Sequence, residues 1–267
     1  MKSAALTPRP LSRCAGEGGL CGKWTVVSGQ SPVPYGCSLT TDDGNLGGVA
    51  EIISQSDERA LELAVSALKS GELVVYPTDT VYGLGAAAGN EEAVRRLFAA
   101  KGRSPSKAMP LLVADGMMAS WAADVTPVGH KLMAALWPGA LTIVMRRLDS
   151  YDSAALAGGD TVALRAPDHE FALSMIAAVG EPVVGTSANR SAGRAAVSAA
   201  EAAFQFGDMV ALAVDGGRAR GVESTVIDIT REAGPTIVRE GAVTQEEIER
   251  VLGRALGVGK ERKEVGK

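Results

Sequence analysis

Cysteine and histidine are scarce in this chain, and their positions argue against a disulfide scaffold and a conventional zinc site. The three cysteines, Cys14, Cys21 and Cys37, all lie near the beginning of the chain, and both histidines, His130 and His169, are far from them in sequence. No CxxC pair occurs, so the spacing typical of zinc ligands is missing. We therefore expect no metal site of this kind, and the cysteine-free remainder is typical of a protein from the reducing cytoplasm.

Aromatic side chains and long apolar runs are also few, which limits the classes of protein to consider. Aromatic residues make up only 4% of the 267 residues, although hydrophobic residues reach 46%, so we expect a large and mainly aliphatic core. No apolar run approaches the roughly 20 residues that a membrane-spanning helix requires, and we predict no membrane association. The net charge of −4 argues against a nucleic-acid-binding surface over the whole protein but leaves room for a local basic groove.

Composition divides the chain into a central patterned region and two atypical ends. Residues 1–48 are rich in Gly, Ser, Pro and Thr and show no helical or strand periodicity, so we expect a disordered or poorly ordered extension. A transit peptide and a start codon assigned too far upstream are two further interpretations of this segment. Residues 49–256 form the predicted single domain, and residues 257–267 form a predicted charged tail.

The central region alternates between helical and extended patterns. Ser56 is placed to cap a helix, and residues 73–76 form a short apolar run that is typical of a buried strand. Asn90 is predicted to cap a second helix, which Gly102 ends, and Asp168 is predicted to cap a third. Helices alternate with strands at first and strands cluster later, which predicts an α/β fold with a twisted, mixed sheet.

Three common enzyme signatures are weak or missing. The glycines between Gly83 and Gly89 superficially resemble a dinucleotide-binding fingerprint, but they do not follow a strand directly. Arg103 also lies near the position where that fingerprint has an acidic residue that binds the ribose. A GxxxxGK phosphate loop does not occur. Ser187 is not in a GxSxG elbow and neither histidine has a suggestive context, so we expect no Ser-His-Asp triad.

Polar side chains recur where predicted strands end. Residues 78–80 follow the first strand, and residues 186–189 follow a later one. Lys101, Arg103 and Lys107 share a loop that apolar flanking residues hold against the core. Open α/β sheets bind ligands at the carboxyl ends of their strands, and arginine and lysine suit phosphate oxygens. The sequence therefore predicts a site for a phosphate and a small polar ligand.

Seven motifs identify a family that shares these features. They are Pro77-Thr78-Asp79-Thr80-Val81-Tyr82-Gly83-Leu84, Lys101-x-Arg103, Trp137-Pro138-Gly139-x-Leu141-Thr142, Val162-x-x-Arg165-x-Pro167, Thr186-Ser187-Ala188-Asn189-x-Ser191, Glu223-Ser224-Thr225-Val226 and Arg239-x-Gly241. Together they strongly resemble the YrdC family of L-threonylcarbamoyl-AMP synthases, in its short, single-domain form. The resemblance implies a YrdC-like α/β fold, in which a twisted mixed β-sheet with flanking helices surrounds a concave, positively lined cavity.

The resemblance also implies a reaction and its partners. Members of the family condense L-threonine, bicarbonate and ATP into threonylcarbamoyl-AMP and pyrophosphate, which makes them nucleotidyltransferases. The product feeds the threonylcarbamoylation of a tRNA adenosine, so we expect a downstream tRNA threonylcarbamoyl transferase complex and possible tRNA binding. Mg²⁺ is expected with ATP, although the sequence shows no dedicated metal site.

Residue roles carry over motif by motif. Thr80, Arg165 and Ser224 resemble the L-threonine-binding positions, and the planar fork of an arginine suits a carboxylate. Lys101 and Arg103 are the predicted catalytic residues, because they are expected to bind the ATP phosphates. The predicted ATP-binding positions are Lys101, Arg103, Lys107, Thr161, Gly185, Ser187, Asn189 and Arg239.

The chain departs from the family pattern at two places, and one carboxylate inside a motif is unassigned. Leu112 stands where some members have a histidine that contacts threonine. The segment Ser191-Ala192-Gly193 replaces the usual Ser-Gly, which predicts a differently shaped loop over the nucleotide. Asp79 remains unassigned, because the sequence does not separate an electrostatic role from a turn-stabilising one.

Two alternative functions fit parts of the same pattern. A related domain occurs in hydrogenase-maturation carbamoyltransferases, but those chains carry zinc-finger and acylphosphatase-like modules for which this chain has no room. An RNA-binding or translation-related protein could use the same basic cavity. The acidic pI of 5.4 and the intact threonine positions count against that alternative.

Overall fold

Strands and helices alternate through the part of the chain that the computed structural model describes, residues 50–191 and 193–256. The predicted extension at 1–48 and the predicted tail at 257–267 lie outside these residues. The strands are β1 (Glu51–Ser54), β2 (Val74–Tyr76), β3 (Gly83–Gly85), β4 (Leu111–Leu112), β5 (Ala123–Asp124), β6 (Leu141–Arg147), β7 (Thr161–Arg165), β8 (Val183–Val184), β9 (Thr186–Ser187), β10 (Leu212–Asp215), β11 (Thr225–Asp228) and β12 (Thr236–Arg239). The helices are α1 (Ala60–Lys69), α2 (Glu91–Lys101), α3 (Gly116–Ala122), α4 (Pro127–Leu136), α5 (Glu170–Val179), α6 (Ala199–Phe206) and α7 (Gln245–Leu252).

The strands form two mixed sheets, whereas the sequence pattern predicts one. The smaller sheet has the order β1-β10-β2-β3-β9, in which β1, β10 and β2 are parallel and β3 is antiparallel to both of its neighbours. The larger sheet has the order β12-β11-β6-β7-β4-β8, with β5 paired to β6. Its β11–β6 and β4–β7 pairs are parallel, and its other pairs are antiparallel. The predicted mixed α/β fold is therefore confirmed.

The chain passes from the larger sheet to the smaller one at Gly185, the single residue between β8 and β9. A Cβ atom on Gly185 would lie only 2.4 Å from Leu112 Cγ, so no larger side chain fits without a shift. The Gly185 N–H donates to the Pro110 carbonyl at 2.8 Å. The edges of the two sheets meet at this crossing.

The short strands β3 and β9 were not predicted, because neither has the β-branched or aromatic residues typical of strands over a sufficient length. In β3 the two glycines have a packing role. A Cβ atom on Gly83 would lie 2.8 Å from the Tyr76 ring, and one on Gly85 would lie 2.6 Å from it. The glycines thus make room for an aromatic ring that lies across the strand.

The helix caps confirm one sequence prediction and correct another. Asn90 caps α2 as predicted, since its Oδ1 accepts a hydrogen bond from Ala93 N at 3.0 Å. Gly102 ends this helix in the left-handed region at φ 61°. Ser56 was wrongly predicted as a cap, because β1 extends to Ser54, a turn follows, and α1 begins only at Ala60.

Asp168 was also wrongly predicted as a cap. The N–H of His169 donates to the Pro167 carbonyl at 2.9 Å, which closes a tight turn at Asp168. Helix α5 therefore begins at Glu170, and the N-cap position is occupied by His169 without a side-chain capping bond.

The core is mainly aliphatic, as composition predicts. Its largest fully buried side chains nevertheless include Tyr76, Tyr82 and Phe206. Other described aromatic side chains, such as Trp121 and Phe204, are exposed. None of the described helices has the length and apolar character needed to cross a membrane.

We expect Asn90→Ala to lower the free energy of unfolding by about 1 kcal/mol, the typical cost of removing a helix cap. Urea unfolding followed by circular dichroism measures this change. Ser56→Ala is the matched control, because Ser56 caps no helix, and it should leave stability unchanged. Equal losses in the two variants would contradict the capping assignment.

Candidate functional site

A cavity of about 210 Å³ lies where the two sheets meet. Its walls come from the ends of β2, β3 and β9 in the smaller sheet and of β4, β7 and β12 in the larger one. The lining residues are Tyr76, Thr78, Thr80, Val81, Tyr82, Gly83, Arg103, Leu112, Arg165, Gly185, Thr186, Ser187, Glu223, Ser224 and Arg239. Seven residues predicted to bind threonine or ATP are therefore brought together, namely Thr80, Arg103, Arg165, Gly185, Ser187, Ser224 and Arg239.

Arg165 is the most deeply buried charge of this cavity. It is the last residue of β7 and is only 6% exposed. Its guanidinium donates from Nε to the Gly139 carbonyl at 2.9 Å and from Nη1 to Thr80 Oγ1 at 2.9 Å. A third bond joins Nη2 to Asp79 Oδ1 at 2.5 Å. An arginine has five N–H donors, so two remain available to a ligand in the cavity.

The bond to Arg165 gives Asp79 a role that the sequence left open. Both side chains of this ion pair are 8% exposed. Burial lowers the pKa of Arg165, and the Asp79 charge opposes that effect. An arginine remains protonated even so, because its ordinary pKa is far above neutrality. Asp79 therefore holds the guanidinium of Arg165 in place and compensates its charge.

The Trp137-Pro138-Gly139 motif supplies the third contact of Arg165. Gly139 directly follows Pro138, and the peptide bond between Trp137 and Pro138 is cis. The N–H of Gly139 donates to the Ala166 carbonyl at 2.8 Å. A Cβ atom at Gly139 would lie 2.4 Å from the Leu136 carbonyl oxygen, so glycine is required for this close turn. The motif therefore contributes to the cavity through the Gly139 carbonyl, which accepts the hydrogen bond from Arg165 Nε.

Thr80 and Thr78 form a hydroxyl pair in the turn after β2. Their Oγ1 atoms are 3.0 Å apart, and Thr78 Oγ1 donates to the Val81 carbonyl at 2.6 Å. Both threonines are buried. The turn thus fixes the Thr80 hydroxyl beside Arg165, as the predicted threonine site requires.

Ser224 lies on the opposite wall, directly before β11. Its hydroxyl is 2.8 Å from Thr142 Oγ1 and accepts from Arg239 Nη2 at 3.2 Å. Arg239 also donates to the Ser224 carbonyl at 2.8 Å and to Glu223 Oε2 at 2.6 Å. Arg239 and Glu223 are partly exposed, so this ion pair lies at the mouth of the cavity.

Lys101 has a different environment from the one predicted. It is 3% exposed, and its ammonium donates to the backbone carbonyls of Ser187 at 2.5 Å and Asn189 at 2.8 Å. Burial lowers the pKa of Lys101 to about 8, and the nearby charge of Arg103 adds to that effect. The structure therefore shows Lys101 holding the loop after β9, and it does not place the residue in the cavity lining.

Arg103 lines the cavity from the loop after α2. Its guanidinium donates to the carbonyls of Lys107 at 3.1 Å and Ala108 at 2.8 Å, which fixes the loop around it. Burial lowers the pKa of Arg103. Lys107 itself is exposed and does not line the cavity, so its predicted contact with ATP stays a prediction.

The Ser187–Asn189 segment is organised by side-chain bonds. Ser187 Oγ donates to Asn189 Oδ1 at 2.5 Å. Asn189 Nδ2 donates to the Arg190 and Gly193 carbonyls at 2.8 and 2.7 Å. Ser187 lines the cavity, whereas Asn189 shapes the loop behind it. The altered Ser191-Ala192-Gly193 segment follows directly, and Ala192 lies outside the described residues.

Thr161 is not brought to the cavity. It begins β7, whereas Arg165 ends it, so about 13 Å of extended chain separate the two residues. Its predicted contact with ATP stays a prediction. Among the lining or supporting residues that were not predicted as site residues are Tyr76, Thr142 and Glu223. Thr142 and Glu223 lie inside quoted motifs, which is the signal that could have identified them.

The charges at the lining explain the electrostatic character of the cavity. Three arginines, Arg103, Arg165 and Arg239, line it, against the single carboxylate of Glu223. The excess of positive charge suits an anionic ligand. The prediction of a concave, positively lined cavity is confirmed.

Comparison with known proteins places these features in a family. The family model Sua5_yciO_yrdC, described as "Telomere recombination", matches residues 66–241. A threonylcarbamoyl-AMP synthase of Pyrococcus abyssi is 38% identical over 207 residues, which cover 77% of this chain and 61% of that protein. A putative threonylcarbamoyl-AMP synthase of Mycobacterium leprae is 40% identical over 197 residues, which cover 73% of this chain and 89% of that protein.

Solved structures show the same similarity. The crystal structure of P. abyssi Sua5 complexed with L-threonine matches with a TM-score of 0.73 and 37% identity, over 78% of this chain and 62% of that one. This chain thus spans about 61% of the length of the P. abyssi relative.

The buried ion pair leads to a stability prediction. Asp79→Asn should lower the free energy of unfolding by about 3 kcal/mol, because it leaves the buried charge of Arg165 without its partner. Denaturant unfolding measures the change. Asp160→Asn is the control, since Asp160 pairs with Arg146 at an exposed position and should give no measurable change. A stability loss no larger than that of the control would contradict the role assigned to Asp79.

The lowered pKa of Lys101 leads to a pH prediction. The pKa of Lys101 is about 8 in the folded protein and 10.5 in the unfolded chain. At pH values between these two, the unfolded chain binds more protons at this residue than the folded protein does. The contribution of Lys101 to the free energy of unfolding should therefore rise as the pH increases through that window.

Lys101→Met isolates this contribution, because the other titrating groups are common to both proteins. Denaturant unfolding of the two proteins at several pH values below and above 8 provides the measurement. The free energy of unfolding of the unsubstituted protein should increase relative to that of the variant as the pH rises. A difference that is constant or falls with pH would contradict the burial of the ammonium.

Proposed function

The chain belongs to the Sua5/YciO/YrdC family, and on that premise we propose that it is an L-threonylcarbamoyladenylate synthase. The reaction condenses L-threonine, bicarbonate and ATP into threonylcarbamoyl-AMP and pyrophosphate, and it is a nucleotidyl transfer. The observation that carries the proposal is the buried guanidinium of Arg165, which keeps two N–H donors for a ligand between the hydroxyls of Thr80 and Ser224.

The threonine half of the proposed site is formed by these three residues. The two remaining N–H groups of Arg165 would bind the carboxylate of L-threonine. The Thr80 hydroxyl donates to Thr78 Oγ1 and keeps one acceptor position, whereas the Ser224 hydroxyl can both accept and donate, so the two can bind the amine or the side-chain hydroxyl of the substrate. Tight fixing of these groups by Asp79 and Thr142 supports the proposal, since preorganised partners bind with a smaller entropic cost.

The nucleotide half is formed by the cationic side of the same cavity. Arg103 and Arg239 would neutralise ATP phosphates, and Ser187 would exchange its bond to Asn189 Oδ1 for one to a phosphate oxygen. Gly185 contributes backbone at the crossing between the sheets. Lys101, Lys107, Thr161 and Asn189 remain proposed ATP contacts that the observed lining does not support. The catalytic contribution we propose for Arg103 is charge neutralisation, and the one we propose for Lys101 is positioning of the segment that carries Ser187.

The chemistry that this site supports is positioning. The threonine amine attacks the carbon of bicarbonate-derived CO₂ and loses a proton, which gives a carbamate. A carbamate oxygen then attacks the α-phosphorus of ATP, and the bond to pyrophosphate breaks as the leaving group takes its electron pair. The arginines would stabilise the charge that develops on the phosphoryl oxygens. Holding both substrates in one cavity supplies the rest of the acceleration.

Mg²⁺ commonly accompanies ATP, so we consider where it would be held. Across residues 50–191 and 193–256, no group of three or more His, Cys, Asp and Glu side chains could hold a metal ion. The carboxylates nearest the cavity, Asp79 and Glu223, are each bonded to an arginine. We propose that Mg²⁺ enters bound to the ATP phosphates.

The product determines the partners that we propose. A threonylcarbamoyl adenylate is an activated acyl phosphate, so it must be passed to an acceptor before water hydrolyses it. We propose a tRNA threonylcarbamoyl transferase complex as the consumer and the cytoplasm as the compartment. The absence of cysteine from the whole domain at 49–256 supports a reducing environment.

Pyrophosphate release from ATP tests the proposed reaction. We expect release only when L-threonine and bicarbonate are both present, because the attacking group is the carbamate formed from them. Each substrate is omitted in turn, and the adenylate is identified by mass spectrometry. Release that is independent of threonine and bicarbonate would contradict the proposal.

A pair of arginine variants tests the assignment of the nucleotide half. Arg103→Ala should lower kcat/KM for ATP by roughly a hundredfold, the typical cost of removing one preorganised charge-stabilising group. Arg95→Ala is the control, since Arg95 lies on the exposed face of α2 beside Glu91 and Glu92. Equal kinetics in the two variants, with both proteins folded by circular dichroism, would remove Arg103 from the site.

A further inference from the structure

Tyr76 ends β2 with its ring fixed against β3. A Cβ atom on Gly83 would lie 2.8 Å from the ring and 3.1 Å from the hydroxyl oxygen, and one on Gly85 would lie 2.6 Å from the ring. The side chain has no exposure to solvent. Its hydroxyl is thus held in one place, with Gly83 of the cavity lining directly against it.

The hydroxyl of Tyr76 has no hydrogen-bond partner among residues 50–191 and 193–256. A buried hydroxyl without a partner is destabilising, so native structures rarely keep one without a function. Tyr82 shows the usual arrangement in the same cavity, since its hydroxyl donates to the Gly217 carbonyl at 2.6 Å. The orphaned hydroxyl of Tyr76 is therefore an exception that calls for a bond from a ligand.

Tyr76 lines the same cavity as Arg165, Thr80 and Ser224. Burial raises the pKa of Tyr76 well above its ordinary value, and the charge of Arg165 only partly opposes this. The hydroxyl is accordingly protonated at any physiological pH and acts as a donor. A donor beside a guanidinium suits an anionic oxygen.

We propose that the hydroxyl of Tyr76 donates a hydrogen bond to an anionic oxygen of the bound substrate, which makes Tyr76 a further binding residue of the site. The oxygen belongs either to the carboxylate of L-threonine or to the carbamate formed on its amine. This inference rests on the proposed synthase function, and it adds a contact that the sequence motifs did not assign.

The test compares Tyr76→Phe, which removes only the hydroxyl, with Tyr151→Phe. Tyr151 is partly buried and does not line the cavity, so Tyr151→Phe shows the effect of removing a tyrosine hydroxyl away from the site. Calorimetric titration with L-threonine alone reports a contact with the carboxylate. Steady-state turnover with varied bicarbonate reports a contact with the carbamate.

Tyr76→Phe should weaken L-threonine binding or lower kcat/KM for bicarbonate by about tenfold or more, the loss expected for a hydrogen bond to a charged group. Tyr151→Phe should change neither. A loss in the first arm identifies the carboxylate as the acceptor, and a loss confined to the second identifies the carbamate. Unchanged values in both arms would overturn the proposal for Tyr76 while leaving the synthase function intact. An unsubstituted protein that neither binds L-threonine nor turns over would overturn both.

The ligand-free stability of the same variants provides a readout that does not depend on the reaction. Tyr76→Phe should unfold at an equal or higher denaturant concentration than the unsubstituted protein, because it removes a buried donor that has no partner. A clear loss of stability would show that the hydroxyl is already bonded within the protein, and that result would overturn the proposal.

Discussion

The cavity depends on the buried ion pair between the guanidinium of Arg165 and the carboxylate of Asp79. A charge in this position is tolerated only when it is paired and hydrogen-bonded, and Asp79, Thr80 and Gly139 meet that requirement. Arg165 ends a strand of the larger sheet, whereas Asp79 and Thr80 follow a strand of the smaller one. The ion pair therefore joins the two sheets at the cavity, and the same guanidinium is the group that we propose binds the ligand.

The two halves of the proposed site differ in how completely the protein shapes them. The threonine half consists of buried groups that other side chains fix in place, such as the Thr142 hydroxyl beside Ser224. The nucleotide half consists of partly exposed arginines whose N–H groups donate to backbone carbonyls and to Glu223. Phosphate oxygens would replace some of these acceptors when ATP binds. In the proposed function, the groups that would bind the small substrate are already fixed by the fold, whereas nucleotide binding would require exchange of existing bonds.

Local chemistry allowed much of the fold to be predicted, and long-range contacts explain most of what was missed. The Asn90 cap and the strand before Pro77 follow from residue types and spacing. The role of Asp79 depends on a residue 86 positions away, and no local pattern shows that pairing. The ammonium of Lys101, which the sequence predicts to bind phosphate, donates to the carbonyls of Ser187 in β9, a strand too short to predict, and of Asn189. Its burial, and the unpartnered hydroxyl of Tyr76, became visible only in three dimensions.

The structure of this protein bound to L-threonine would test the central claim most directly. We expect the carboxylate of L-threonine to accept hydrogen bonds from the two N–H groups of Arg165 that the protein leaves unused, with the bond from Arg165 to Asp79 still in place. L-threonine bound without a contact to Arg165 would contradict the account. A complex in which Asp79 has separated from Arg165 would contradict it equally.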